Sequence, residues 1–350
     1  MIKVAVIGGS GYIGGELLRL LLQHPQVIVE YAGSRTFNGK FVYKVHPSLK
    51  GSTSLIFKNE DIADIASKVE LIFLAIPHGK SHQIVPSIMD TGNRIIDMSA
   101  DFRLKTPSEY PRWYGWDHSC PDLIQKFVYG NPELHRDEIR SAKFIANPGC
   151  IASSSIYSLA PLAKAGFTDK VITIDAKTGS SASGNDASEF SNYSAKTNSV
   201  RLYKPSGHRH TPEIEQELSL LSGGRTKVAL TAQSVPMVRG ILTTSSVTYE
   251  KDVEEKTLWS MFREFYRNER FIRLMMDKNG LYRYPDPKLV TGSNFADLGF
   301  NIDSYSRRIT SIGAIDNLVK GAAGNAVQSM NLMLDFPEEI GLISIPIFPV

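Results

Sequence analysis

Val4-Ala-Val-Ile-Gly-Gly-Ser-Gly-Tyr-Ile-Gly14 is the stretch that decides the fold. The apolar run from Val4 to Ile7 gives way to glycines, and Leu17, Leu18, Leu20, Leu21 and Leu22 then crowd a helix-length segment. This order reads as strand, tight turn and helix. Gly8, Gly11 and Gly14 stand three residues apart, a spacing that lets the backbone turn tightly, approach a pyrophosphate and present helix N-terminal amides to it. A glycine triplet alone is weak evidence. Its place between a strand and a helix, at the first strand of the chain, makes it a dinucleotide site in preference to an ordinary turn.

Further strands follow at Ile28 to Ala32, Leu71 to Ile76, Arg94 to Met98 and Phe144 to Ala146, separated by helix-length or loop segments. Alternation of this kind implies a parallel sheet wound with helices, an α/β unit of the Rossmann type. The end of the second strand reports on the ribose. An NAD enzyme usually places an acid there, whereas this chain has Ser34-Arg35-Thr36, groups suited to a 2'-phosphate, and Glu30 lies earlier, inside the strand. NADP(H) is therefore expected, bound by Gly8, Ser10, Gly11, Tyr12, Ile13, Ser34, Arg35 and Thr36.

After Cys150 the pattern changes. Runs at Val171 to Lys177, Val228 to Val235, Ile241 to Tyr249 and Ile309 to Ile315 are longer and alternate more. They read as antiparallel strands, two of them adjoining around Arg239-Gly240. A helix is expected from Glu254 to Arg273, with Leu258, Met261, Phe262, Phe265 and Tyr266 on its apolar stripe and Arg263, Arg267 and Arg270 on another face. Gly321-Ala-Ala-Gly324 leads into a last helix at Asn325 to Leu334, whose small residues suit return to the first domain. The Ser/Gly/Asn-rich stretch Gly179 to Ser199 reads as a long functional loop.

Composition sets the limits. A chain of 350 residues exceeds what one compact core usually holds, and an apolar fraction of 42% is enough for two cores. The 39 basic and 36 acidic residues leave a formal charge of +3 with no basic tail, which gives no support to nucleic-acid binding. Two cysteines are too few for a disulfide framework, so a reducing, cytoplasmic setting is expected and a thiol is free for chemistry. No signal-peptide core and no apolar run of membrane-spanning length stands out.

Cys150 follows Asn147-Pro148-Gly149 at the end of a strand and precedes the helix-like Ile151-Ala-Ser-Ser-Ser-Ile156. A thiol at a helix N-terminus is activated, because the amides lower its pKa from about 8.5 toward neutrality. Cys120, in His118-Ser-Cys-Pro121, lacks that placement and reads as an incidental loop thiol. In Gly207-His-Arg-His-Thr-Pro-Glu213 two imidazoles flank a guanidinium just before a helix start, and an extended backbone would point both rings the same way. His210 and Glu213 are placed to pair, the carboxylate holding the imidazolium formed when His210 takes a proton. A metal site needs more ligands at suitable spacing, and none are found. Arg103, in Asp101-Phe-Arg103 at the carboxyl edge of the sheet, suits a phosphate or carboxylate, with a salt bridge to Asp101 as the plainer role.

Two readings from other classes compete. An extended short-chain epimerase or reductase needs a tyrosine and a lysine four apart on one helix, but between Tyr284 and Lys288 stand Pro285 and Pro287. A non-catalytic nucleotide sensor explains the glycines but not the thiol and histidine motifs.

Together the motifs resemble one family over nearly the whole chain, the N-acetyl-gamma-glutamyl-phosphate reductases and their relatives acting on carrier-protein-linked aminoadipate or glutamate phosphates. Gly8 to Gly14, Pro77-His-Gly79, Ser99-Ala-Asp-Phe-Arg103, Asn147-Pro-Gly-Cys150, His208 to Glu213 and Asp316-Asn-Leu-Val-Lys-Gly321 fall in the family's order and approximate spacing. The resemblance implies Cys150 as nucleophile, His210 as base supported by Glu213, and His208 and Arg103 on the substrate. It also implies Pro77 in a loop over the adenine end of NADP(H) and Asn317 near the nicotinamide. The implied fold is a dinucleotide-binding domain, 1–149 with 319–350, and an α+β catalytic and dimerisation domain, 150–318, like that of glyceraldehyde-phosphate and aspartate-semialdehyde dehydrogenases. A homodimer or homotetramer is expected. The run Val200 to His210, with His46-Pro47 and Trp113-Tyr-Gly115, leans toward the carrier-linked branch. There a small acidic amino-group carrier protein presents 2-aminoadipate 6-phosphate or glutamate 5-phosphate for lysine and arginine biosynthesis, and Lys196, Arg201, Lys204 and Arg209 offer cations to it. The acetylated glutamyl phosphate is the alternative substrate.

Overall fold

The computed structural model describes residues 1–185, 192–250 and 252–349. The chain divides into two compact units, Met1–Pro148 with Ala322–Ile343, and Gly149–Gly321 with Ser344–Val350. This corrects the sequence boundaries at the end of the chain, because residues from Ser344 onward group with the second unit, where the Phe348 ring meets Tyr282 edge-on. Residues 319–321 also belong to the second unit.

The first unit begins with β1 (Ile2–Ile7), α1 (Tyr12–Leu21) and β2 (Val27–Gly33), then the short helices α2 (Val42–Val45) and α3 (Ile62–Ala66). There follow β3 (Leu71–Leu74), α4 (Ser81–Ile88), β4 (Arg94–Asp97), α5 (Tyr110–Tyr114), β5 (Phe127–Tyr129), α6 (Pro132–Ser141) and β6 (Phe144–Ala146). The six strands form one parallel sheet in the order β2-β1-β3-β4-β6-β5. All four residues of β3 are fully buried, as expected for a strand covered on both faces, and each such side chain contributes about 2 kcal/mol. The strand order reverses around β1 and β3, so the glycine turn at the carboxyl end of β1 lies where doubly wound sheets bind their ligands.

The second unit runs α7 (Cys150–Lys164), β7 (Ile172–Thr178), α8 (Tyr193–Lys196), β8 (Arg201–Lys204), α9 (Thr211–Ser222), β9 (Val228–Ser234) and β10 (Ile241–Thr248). It continues with α10 (Glu255–Phe265), β11 (Ile272–Leu274), β12 (Ala296–Asp303) and β13 (Arg308–Ile315). Its seven strands are ordered β11-β12-β13-β10-β7-β9-β8. The expectation of an antiparallel sheet with adjoining β9 and β10 is corrected. β7 lies between those two, parallel to β9 and antiparallel to β10, and β11 is parallel to β12. The expected helix over 254–273 is also corrected. The apolar stripe through Leu258, Phe262 and Tyr266 runs out into Arg267-Asn-Glu-Arg270, and the chain turns there to enter β11. Arg263, Arg267 and Arg270 therefore do not share a helix face.

Every residue of α7 from Ile151 to Ala163 is buried, including four serines. Small side chains let the helix lie close on the sheet, where a Cβ on Gly313 would stand 2.6 Å from the Ser154 carbonyl. Ser154 Oγ meets Thr243 Oγ1 at 2.8 Å, and Ser311 Oγ donates to the Ser158 carbonyl at 2.6 Å. Paired hydroxyls of this kind contribute about 1 kcal/mol each, where unpaired ones would cost more.

The last helix, α11 (Gly324–Met333), belongs to the first unit, packing on α1 and α6. Asn325 Nδ2 donates to Asn147 Oδ1 at 3.0 Å, and Gln328 Nε2 to Glu133 Oε1 at 3.0 Å. Within the stretch read as a long functional loop, Ser180–Ser183 forms a 3-10 turn, α8 occupies 193–196, and residues 186–191 lie outside the described residues. Among the described residues no helix is long and apolar enough to cross a membrane.

Candidate active site and nucleotide-binding turn

Cys150 is the first residue of α7, half-buried and not in a disulfide. Gly149 caps the helix with no side-chain hydrogen bond, so no capping side chain lies over the helix start beside the thiol. Glu213 of α9 and His210, which caps that helix, close around Gly149. The fully buried Glu213 accepts the Gly149 N–H through Oε2 at 2.9 Å. The His210 ring fills the space a side chain would take, since a Cβ on Gly149 would stand 2.3 Å from His210 Nε2. From the other side Gly321 presses on the thiol residue, where its own Cβ would be 2.7 Å from Cys150 Cβ.

His210 sits at the N-cap of α9 with φ −83° and ψ −9°, helical values that differ from the extended backbone expected of the motif. The His208 and His210 rings consequently meet edge to face, with centroids 4.8 Å apart at 66°. His208 Nδ1 accepts the His210 N–H at 3.1 Å, which assigns the proton of the neutral ring to Nε2. Burial, followed by the cations Arg209 and Lys204, pushes His208 down to about 4. The ring is thus a neutral hydrogen-bonding group at physiological pH. Tyr203, which the sequence reading did not single out, places its ring 6.2 Å from that of His208, and its phenol is pushed up chiefly by burial.

Asn317 is also in the second unit. Its Oδ1 accepts from Gly240 N at 2.8 Å and its Nδ2 donates to Ser181 Oγ at 3.0 Å, joining the 3-10 turn to the strand ends. Beside it Asp316, fully buried, accepts from Gly292 N at 2.7 Å and from Arg239 Nη1 at 3.2 Å.

The residues of the glycine turn and of the end of β2, expected at the nucleotide, lie in the first unit. Gly8 has φ +83°, and a Cβ there would lie 2.1 Å from the Ala75 carbonyl oxygen. A Cβ on Gly14 would lie 2.3 Å from the Gly8 carbonyl, so α1 can approach the turn only without side chains. Gly11 caps α1 with no side-chain hydrogen bond, and only the Gly8 carbonyl, at 3.8 Å, stands near its Cβ position. Tyr12 is exposed, and Ile13 is partly exposed beside it. Ser34 Oγ donates to Ser10 Oγ at 2.9 Å, joining the glycine turn to the end of β2, while Arg35 and Thr36 are exposed. Glu30 faces outward within β2 and pairs with Lys3 at 3.2 Å. A helix start without a side-chain cap, a glycine-rich turn, and the exposed Arg35 at the end of β2 fit a dinucleotide carrying a 2'-phosphate.

Pro77 is exposed in the loop after β3. Asp101 ties that loop down, accepting from Gly79 N at 2.7 Å and from His82 N at 3.1 Å. Asp97 accepts from Ser81 and Ser99, and burial together with the Asp101 carboxylate holds its pKa above the usual range. Arg103 is 4% exposed. Its Nε donates to the Asn147 carbonyl at 2.7 Å and its Nη2 to the Met98 carbonyl at 3.1 Å, so this guanidinium ties the ends of β4 and β6 together. Burial pushes the Cys120 thiol up, and its Sγ lies 3.2 Å from the His82 carbonyl.

The roles of Gly149 and Gly321 cannot be read from the sequence, because a missing side chain signals nothing until its neighbour is known.

Two family models cover the chain. Residues 3–142 match the semialdehyde dehydrogenase NAD binding domain, and residues 150–317 match the semialdehyde dehydrogenase dimerisation domain. A protein of Picrophilus torridus is 53% identical over 99% of this chain and 100% of its own length, and one of Pyrobaculum aerophilum is 52% identical with the same coverage. Both carry the name LysW-L-2-aminoadipate/LysW-L-glutamate phosphate reductase. Among solved structures, aspartate semialdehyde dehydrogenase II of Vibrio cholerae aligns with a TM-score of 0.72 at 17% identity, over 96% of this chain and 98% of its own. The Candida albicans aspartate semialdehyde dehydrogenase with NADP aligns at 0.66 and 14%, over 97% and 99%. At such identities these structures speak for the fold alone.

Proposed function

The chain belongs to the semialdehyde dehydrogenase family, and from that membership we propose that it reduces an N-protected acidic amino-acid acyl phosphate to its semialdehyde through a thioester on Cys150. The observation that carries the reading is the arrangement at Gly149, which brings Cys150, a helix start with no side-chain cap, the His210 ring and Glu213 together around one backbone position. His210 takes the thiol proton, the Cys150 sulfur attacks the acyl carbonyl, and the carbon–oxygen bond to phosphate breaks to leave the thioester. NADPH, when bound, supplies a hydride. The thioester carbonyl carbon receives it, and His210 returns a proton to the oxygen of the resulting thiohemiacetal. Collapse then breaks the carbon–sulfur bond, His210 takes the hydroxyl proton, and aldehyde leaves with Cys150 again a thiolate. Glu213 holds Gly149 and, through α9, the imidazole in place. His208, neutral, serves as a hydrogen-bond donor to the substrate through Nε2. Arg103, as the resemblance implies, binds the substrate. Ser10, Gly11, Tyr12 and Ile13 hold the pyrophosphate, and Arg35 with Thr36 selects the 2'-phosphate. Pro77 borders the adenine end, and Asn317 lies near the nicotinamide.

The substrate we propose is 2-aminoadipate 6-phosphate or glutamate 5-phosphate linked to a small acidic carrier protein, in lysine and arginine biosynthesis. The two relatives named above, each about half identical over full length, support it. So do the exposed Lys204 and Arg209 and the partly exposed Lys196 and Arg201 around the histidine motif, which offer an acidic partner opposite charge. NADPH oxidation with carrier-linked aminoadipate phosphate and with N-acetylglutamyl phosphate tests this. Turnover with the carrier-linked form is expected, and turnover with the acetylated form alone would refute it.

A further inference from the structure

Lys320 lies in the turn that follows β13 and has no solvent exposure at all. Its Nζ stands 5.1 Å from the centroid of the Tyr157 ring and 5.6 Å from that of Phe271. A desolvated ammonium is costly unless its charge is met, and two aromatic faces meet part of it. Tyr157 belongs to α7, two turns beyond Cys150. The next residue, Gly321, touches the beginning of the same helix, with room for no side chain between its backbone and Cys150.

The turn itself is of the π type over Val319–Ala323, and Gly321 N donates to the Asp316 carbonyl, five residues back, at 2.9 Å. Such a turn holds one residue more than an α-turn and is unstable on its own. It is fixed at its start by Asp316, whose Oδ1 accepts from Leu318 N at 2.8 Å. Beyond that point the Lys320 side chain reaches α7 at the Tyr157 ring.

We propose that Lys320 is a positioning residue for the Cys150 thiol: its ammonium, seated between Tyr157 and Phe271, holds the π-turn in the register that sets Gly321 against Cys150 at the start of α7. The inference rests on Cys150 as the nucleophile. Moving the turn frees the thiol residue from one of its walls and weakens the hold of the helix amides on the thiolate.

The test is the pH profile of iodoacetamide alkylation of Cys150 in a Cys120→Ala background, with thermal unfolding and NADPH Kd measured alongside. Lys320→Met keeps the length and removes the charge. It is expected to raise the profile's midpoint by about one unit, which slows alkylation near neutral pH about tenfold, with Lys320→Arg restoring part of the loss and NADPH Kd unchanged. Phe271→Leu, which leaves the lysine and removes one ring, is the second arm, expected to shift the midpoint the same way by less. A lowered melting temperature with an unshifted midpoint in the folded variants would reduce Lys320 to a core residue and overturn the inference. A wild-type Cys150 no more reactive than an ordinary thiol would instead overturn the nucleophile reading.

Discussion

Gly149→Ala is the sharpest available perturbation of the site. Gly149 has φ −75° and ψ 144°, which alanine adopts without strain, so the substitution acts through its methyl group alone. That carbon would lie 2.3 Å from His210 Nε2 and 2.5 Å from Cδ2. Non-bonded contact between such atoms needs about 3.5 Å, so the imidazole must retreat by about 1 Å. A displacement of that size at a reacting group costs about 100-fold in rate, or about 2.7 kcal/mol of barrier. Steady-state NADPH oxidation should show the loss in kcat, with NADPH Kd unchanged. Because the methyl group works through His210, combining it with His210→Asn should add almost nothing to the single change. Wild-type kcat in a folded Gly149→Ala protein, or additive losses in the double variant, would refute the assignment of His210.

Arg35→Ala should weaken NADPH binding about tenfold, the loss of one charge-assisted hydrogen bond, and leave NADH binding unchanged; equal loss for both would make Arg35 an ordinary solvated loop cation. His208, pushed down to about 4, binds fewer protons folded than unfolded between that value and its unfolded pKa of about 6.5. Its contribution to stability should therefore fall as the pH drops from about 6.5 toward about 4, and His208→Asn should flatten that part of a melting-temperature profile. A profile that the substitution does not change would contradict the buried neutral imidazole.

The Rossmann unit was legible because its evidence is local. Gly8 to Gly14 and the buried runs at 71–74, 94–97 and 144–146 each announce their element without reference to anything distant. The second sheet was less so, since its order depends on partners far apart in the chain. Nothing near Val228 or Ile241 reveals that Ile172–Thr178 separates their strands. β12 was missed because Gly299 and Asp297 interrupt its apolar pattern, the aspartate being neutralised by Arg273 at 2.6 Å, a residue on another strand. At the site the thiol and the histidines could be named from residue type and spacing. Their arrangement could not, because it depends on the absent side chains of Gly149 and Gly321, and on a helix start that turns His210 away from the extended geometry of its motif.

The most direct measurement is the intact mass of the protein after mixing with acyl phosphate in the absence of NADPH, with the site of modification mapped by peptide. An acyl adduct on Cys150, lost on adding NADPH with release of one equivalent of aldehyde and absent from Cys150→Ser, is the expected result. Aldehyde formed with no adduct at any stage, or formed at the wild-type rate by Cys150→Ser, would contradict the thioester route.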